Sequence, residues 1–151
     1  MSDQVRFLFD TNLVSETRKP RPDAGVIAFL QDTEPSSVFI SVLTIGELRK
    51  GIFGKKLRDP DPNAASRLTA WVEGLEVSFA ERILGIDSAA AKLWGEWSGQ
   101  RQRPVVDTLL AATAVVHGLT LVTRDTRDVR GIPVRLHDPW TKEFLESRLD
   151  C

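Results

Sequence analysis

Cysteine occurs once among these 151 residues, as Cys151 at the very end, so no intrachain disulfide can form, and the chain reads as a resident of a reducing cytoplasm. Histidine is almost as scarce. His117 and His137 are the only two, His117 stands at the end of a helical segment, and neither marks a catalytic base. No serine sits in a Gly-x-Ser-x-Gly turn, which removes the commonest serine hydrolase signature. No apolar run approaches the roughly 20 residues that a membrane helix needs, and Met1-Ser2-Asp3-Gln4 has no apolar signal core. These features predict a soluble protein without membrane contact. A single-sign field is lacking too: 27% of residues are charged, yet the formal net charge is −1, so any polyanion contact must be local. Repeats and low-complexity tracts are absent. What remains is a 42% hydrophobic chain sized for one compact domain spanning 1–151.

Strand-like runs fall at Val5 to Phe9, Val38 to Val42, Leu119 to Thr123 and Val134 to Leu136. Helix-like segments separate them, a rhythm that predicts an α/β fold with a mainly parallel central sheet of four or five strands flanked by helices. Lys19-Pro20-Arg21-Pro22 breaks a short helix at Asn12 to Glu16 from a second over Asp23 to Gln31. A helix from Thr44 to Phe53 is expected to stop at Gly54, and Ala64 to Leu75 to pack back on it as a hairpin. Asp87 or Ser88 caps Ala89 to Ser98, whose Leu93, Trp94 and Trp97 form a stripe read as core or subunit contact. Pro104 and Gly118 bracket a further helix, and Trp140 to Leu149 reads as an amphipathic one.

Four acids stand where apolar segments meet turns or helices. Asp10 and Asp125 follow buried-type strands, while Glu47 and Asp107 lie inside apolar helical segments where an unpaired carboxylate is costly. Each alone has an ordinary explanation, since Asp is a favoured N-cap and acids in a first turn complement the helix dipole. Together, two acids at strand ends and two on helices can converge at one edge of a doubly wound sheet. Four such carboxylates cannot all stay ionised without a cation. Hard oxygen donors without neighbouring His or Cys select Mg²⁺ or Mn²⁺. The chemistry that follows is metal-assisted attack of water on a phosphodiester.

The wording around these acids resembles the PIN domain nucleases, above all the VapC and FitB kinds of bacterial toxin. The likeness rests on Leu8-Phe9-Asp10-Thr11-Asn12, Ser41-Val42-Leu43-Thr44-Ile45-Gly46-Glu47-Leu48, Pro104-Val105-Val106-Asp107 and Leu121-Val122-Thr123-Arg124-Asp125, followed by Arg127-Asp128-Val129. Asp138-Pro139-Trp140 is similar to the FitB subgroup. The resemblance implies a PIN-like fold, a metal-dependent endoribonuclease, and a metal-ligand role for Asp10, Glu47, Asp107 and Asp125. Asp128 is an alternative to Asp125 as direct ligand, and Thr11, Asn12 and Thr123 are candidates for orienting carboxylates or water.

Basic residues gather at Arg18-Lys19-Arg21, Arg49-Lys50 with Lys55-Lys56-Arg58, Arg101-Arg103 and Arg124-Arg127-Arg130. Arg124 and Arg127 are the expected RNA contacts. The resemblance further implies a cognate antitoxin that blocks the acids and carries operator DNA binding, so that DNA contact is indirect. Its groove would use Leu13, Val14, Ile27, Leu30, Leu48, Ile52 and Phe53. Homodimers, or dimers of dimers, are implied as well, with Trp94, Trp97 and the C-terminal segment as interface pieces. Two other classes stay open at this point: a haloacid dehalogenase-like phosphohydrolase with Asp10 as nucleophile, although Asn12 replaces its second acid, and a non-catalytic module whose acids hold a partner's arginine.

Overall fold

Five short strands lie parallel in the computed structural model, which describes residues 4–140 and the backbone at 143–144. Strand β1 (Phe7–Phe9) sits centrally, with β2 (Val38–Ser41) on one side and β4 (Thr120–Val122) on the other. Beyond them lie β3 (Ile83–Leu84) and β5 (Leu136–Asp138), and β6 (Glu143–Phe144) adds an antiparallel edge to β5. The order β3-β2-β1-β4-β5-β6 means that the chain leaves β1 in one direction and later returns to its other side. The carboxyl ends of β1 and β4 therefore open a crevice where connections diverge, the place where open α/β sheets bind ligands.

The pleat divides the core. Helices α1 (Thr11–Glu16), α2 (Ala24–Gln31), α3 (Val42–Arg58) and α4 (Ala64–Phe79) bury Leu13, Val26, Leu48, Ile52, Leu68 and Val72 with Phe9 and Val122. Helices α5 (Ser88–Gln100) and α6 (Val105–His117) bury Trp97, Leu110 and Ala111 with Leu8 and Leu121. Successive residues Leu8 and Phe9, and Leu121 and Val122, thus face opposite layers as a period of two requires. Trp97 is core, and Leu93 packs against that same cluster.

Caps set the helix starts. The side chains of Asp10, Asp23, Ser41 and Asp87 accept from the N–H groups of Leu13, Val26, Leu43 and Ala90 at 2.8, 3.1, 3.0 and 2.9 Å. Gly118 closes α6 in the left-handed region at φ 66°. Gly25 is required for another reason: a Cβ there would lie 2.3 Å from the carbonyl oxygen of Pro139, so backbone meets backbone.

Three expectations change. Helix α3 runs past Gly54 to Arg58, since one helical glycine costs only roughly 0.5–1 kcal/mol and the basic Lys55, Lys56 and Arg58 suit the carboxyl end of the helix dipole, with Lys55 also pairing with Asp59. Ile83–Leu84 is a strand that the sequence reading passed over. The segment expected as a helix over 140–149 instead has Glu143–Phe144 extended, and its remaining residues other than Trp140 lie outside the described ones. Among the described residues no helix is long and apolar enough to cross a membrane.

Candidate functional site

Asp10 sits at the carboxyl end of β1, fixed by its own N–H donating to the Val122 carbonyl at 3.1 Å. One carboxylate oxygen caps α1, and the other accepts from the Thr123 hydroxyl. The residue is only 4% exposed. Burial pushes its pKa up from 3.8 to about 6; the Thr123 and Leu13 hydrogen bonds oppose the rise, and the negative charges of Asp125 and Glu47 add to it. Asp10 is thus a cap and a member of an acidic cluster at once.

Asp125 follows β4 and opens a 3-10 turn without capping it. Its Oδ2 accepts from the Asn12 amide at 2.6 Å, although 113 residues separate the two. Its N–H donates to Thr123 Oγ1 at 3.0 Å, so one threonine hydroxyl joins the mounts of Asp10 and Asp125. Asp107 occupies the first turn of α6, half-buried. The dipole there favours an anion, yet the pKa rises from 3.8 to about 7. Desolvation is the largest cause, followed by a hydrogen bond with Asp128, which needs a proton between the two carboxyls, and then by the charges of Asp128, Asp125 and Asp10.

Glu47 departs from expectation by standing exposed on the flank of α3, with Thr44 and Leu48 turned inward. The Thr11 hydroxyl donates to its Oε1, which leaves the buried Thr44 hydroxyl, 3.1 Å from Thr11, as donor in turn. Thr44 was not singled out from sequence; its position three residues before Glu47, on the same helix face, was the available signal. Asp10 feels the charges of Asp125 and Glu47, and Asp107 those of Asp128, Asp125 and Asp10, so the acids share one sheet edge. Among the described residues no three of them form a ready coordination cage. Each is held instead by a threonine, an asparagine, a backbone N–H or another carboxyl.

Of the basic candidates, Arg124 lies with its guanidinium 4.9 Å from the Trp140 ring centroid, while Arg127 is exposed. Arg103 is a fastener, donating to the carbonyls of Trp97 and Arg130 at 3.3 and 2.9 Å. Trp140 also bonds to Glu16, a buried acid that is paired with Lys19 at 2.8 Å and held ionised by it. Asp138-Pro139-Trp140 therefore ties the end of the sheet to α1 and α2, with Asp138 accepting from the Trp140 N–H at 2.9 Å and Pro139 against Gly25. His137 packs against Phe29 with ring centroids 4.8 Å apart and the planes tilted by 48°. Of the residues assigned to a partner groove, Leu13, Val14, Leu48 and Ile52 are core, whereas Ile27 and Phe53 stay 38% and 64% exposed.

The PIN domain family model matches residues 7–132, a span holding all five acids. The chain belongs to the PIN domain family. Its relatives include Toxin FitB of Neisseria gonorrhoeae, 32% identical over 142 residues that cover 88% of this chain and 97% of that protein. VapC ribonuclease Y4jK of Sinorhizobium fredii is 29% identical over 88% of this chain and 96% of its own length. A solved structure of FitAB bound to an IR36 DNA fragment superposes with a TM-score of 0.78 at 29% identity, covering 91% of this PIN domain chain and 97% of that one.

Proposed function

We propose that this PIN domain protein is a divalent-metal-dependent endoribonuclease serving in the cytoplasm as the toxin of a toxin–antitoxin pair. The observation that carries the reading is the gathering of Asp10, Glu47, Asp107, Asp125 and Asp128 at one sheet edge, where burial first and the neighbouring negative charges after it raise the Asp10 and Asp107 pKa values to about 6 and about 7. An all-oxygen donor set of this kind fits Mg²⁺ or Mn²⁺, and displacing the shared protons by such an ion relieves the repulsion. Asp10, Glu47, Asp107 and Asp125 are the proposed ligands, with Asp128 as the alternative to Asp125.

An ion held by these carboxylates would supply a lowered pKa for water and a positive charge against which charge on a phosphodiester could build. The protein's own part is orientation. Thr123 aims Asp10, Asn12 aims Asp125, and Thr11 backed by Thr44 aims Glu47. Asn12 commits its amide to Asp125 and offers no proton to a leaving group, which disfavours a phosphohydrolase with Asp10 as nucleophile. A cognate antitoxin that covers the acids and operator DNA contact made through it extend the reading, with support from the toxin relative and the DNA-bound FitAB neighbour; a homodimer able to pair into a dimer of dimers completes it.

The test is cleavage of single-stranded RNA by purified protein. Activity should require Mg²⁺ or Mn²⁺, vanish with chelator, and fall by at least about 100-fold in Asp107→Asn. A folded Asp107→Asn protein that cleaves as fast as wild type refutes the assignment.

A further inference from the structure

Helix α3 bounds an open groove of about 730 Å³ that begins at Thr11 and Glu47 and continues past Lys50, Gly51 and Gly54 to Arg58. Glu47, Gly51, Gly54 and Arg58 recur at steps of four, three and four, with Lys50 three after Glu47 and four before Gly54, so the five share one helix face. The eleven residue steps from Glu47 to Arg58 span about 16 Å. The groove presents no large aliphatic or aromatic side chain, which makes it a poor seat for an apolar protein segment.

Its cations differ in how they are engaged. Lys55 pairs with Asp59 at 3.3 Å, and on the neighbouring flank Arg49 pairs with Glu76 at 2.7 Å. Among the described residues Lys50 and Arg58 form no ion pair. Arg58 lies in the last helical turn, where it also suits the dipole, but Lys50 is mid-helix and has no such reason to be there. The glycines are equally unexplained by internal packing. A Cβ at Gly51 would meet nothing within 4 Å, and one at Gly54 only the Arg58 guanidinium at 4.0 Å, although a helix interior favours alanine. Their effect is to keep the floor between the two cations clear.

We infer that this groove carries the phosphate backbone of single-stranded RNA on one side of the bond that is cut, with Lys50 and Arg58 as the phosphate-binding residues. The inference rests on the ribonuclease reading and adds a direction to it: the strand leaves the acids past Glu47 along α3. Spaced point charges above a bare floor hold a backbone without reading bases. Arg124, which is stacked on Trp140, is not needed for this path.

The experiment compares wild type, Lys50→Ala/Arg58→Ala, Gly51→Leu, and Lys92→Ala on the opposite layer as control, using a fluorophore-quencher single-stranded RNA with Mn²⁺ over a salt series. The double variant should raise KM on the order of tenfold while kcat stays within about twofold, and the slope of log affinity against log salt should shrink by about 1.4, near 0.7 for each lost phosphate contact. Gly51→Leu should raise KM without lowering Tm, since leucine suits the helix and only the groove is filled. Lys92→Ala should behave as wild type. A double variant that cleaves with unchanged KM and unchanged slope, while wild type is active, overturns the groove alone. A wild type that neither binds nor cleaves RNA overturns the ribonuclease reading and the groove with it.

Discussion

Replacing Asp107 by Asn should stabilise the metal-free protein at alkaline pH and leave it unchanged in acid. The folded state raises the Asp107 pKa from 3.8 to about 7. Folded protein therefore holds the proton more tightly than unfolded chain, and the stability it contributes is fully present below pH 4 and is lost as pH rises through 7. At about 1.4 kcal/mol for each tenfold change in proton affinity, the ionised form costs about 4 kcal/mol. Solvent reaches this half-buried site, and Asn can still donate to Asp128, so about 2 kcal/mol is the expected recovery at pH 8. For a domain of this size that raises Tm by roughly 4–8 °C. Thermal unfolding of both proteins in chelator, at pH 4 and pH 8, measures it. A variant that melts below wild type at pH 8, or a wild type whose Tm is flat across this range, refutes the argument that the folded site disfavours ionised Asp107.

Two other outcomes follow from the same contacts. Thr123→Val removes the hydroxyl that lowers the Asp10 pKa, so Asp10 should rise further above 6 and the acid limb of the Mn²⁺-dependent cleavage profile should move to higher pH; an unmoved limb excludes Thr123 as the residue tuning Asp10. Gly25→Ala puts a methyl 2.3 Å from a fixed carbonyl and should cost about 2 kcal/mol, a Tm drop of roughly 4–8 °C visible by circular dichroism.

How far the chain could be read in advance depended on whether a feature is local. Caps at Asp10 and Asp87 and the stop at Gly118 are decided within a few residues, and they were legible; Asp23, read as the first residue of α2, caps it instead. Strand β3 was not: two half-buried residues become a strand only because Ile40 and Ser41 lie beside Ile83 and Leu84. Gly54 read as a stop, yet a lone helical glycine costs little and the basic residues after it suit the end of the helix. Within the site, the types and order of the acids pointed to one sheet edge. The bond from Asn12 to Asp125 and the pairing of Asp107 with Asp128 are tertiary facts that no spacing encodes. Glu47 misled because its apolar neighbours turn inward while it faces solvent.

The claim that everything else depends on is that these carboxyls share one divalent ion. Calorimetric titration of Mn²⁺ at pH 6, run in two buffers of different ionisation enthalpy, tests it most directly. Binding should expel protons, because Asp10 and Asp107 must ionise to coordinate, and the release should fade by pH 8 and be lost with the binding itself in Asp10→Asn. Mn²⁺ affinity that is absent in wild type, or undiminished in Asp10→Asn, contradicts the account.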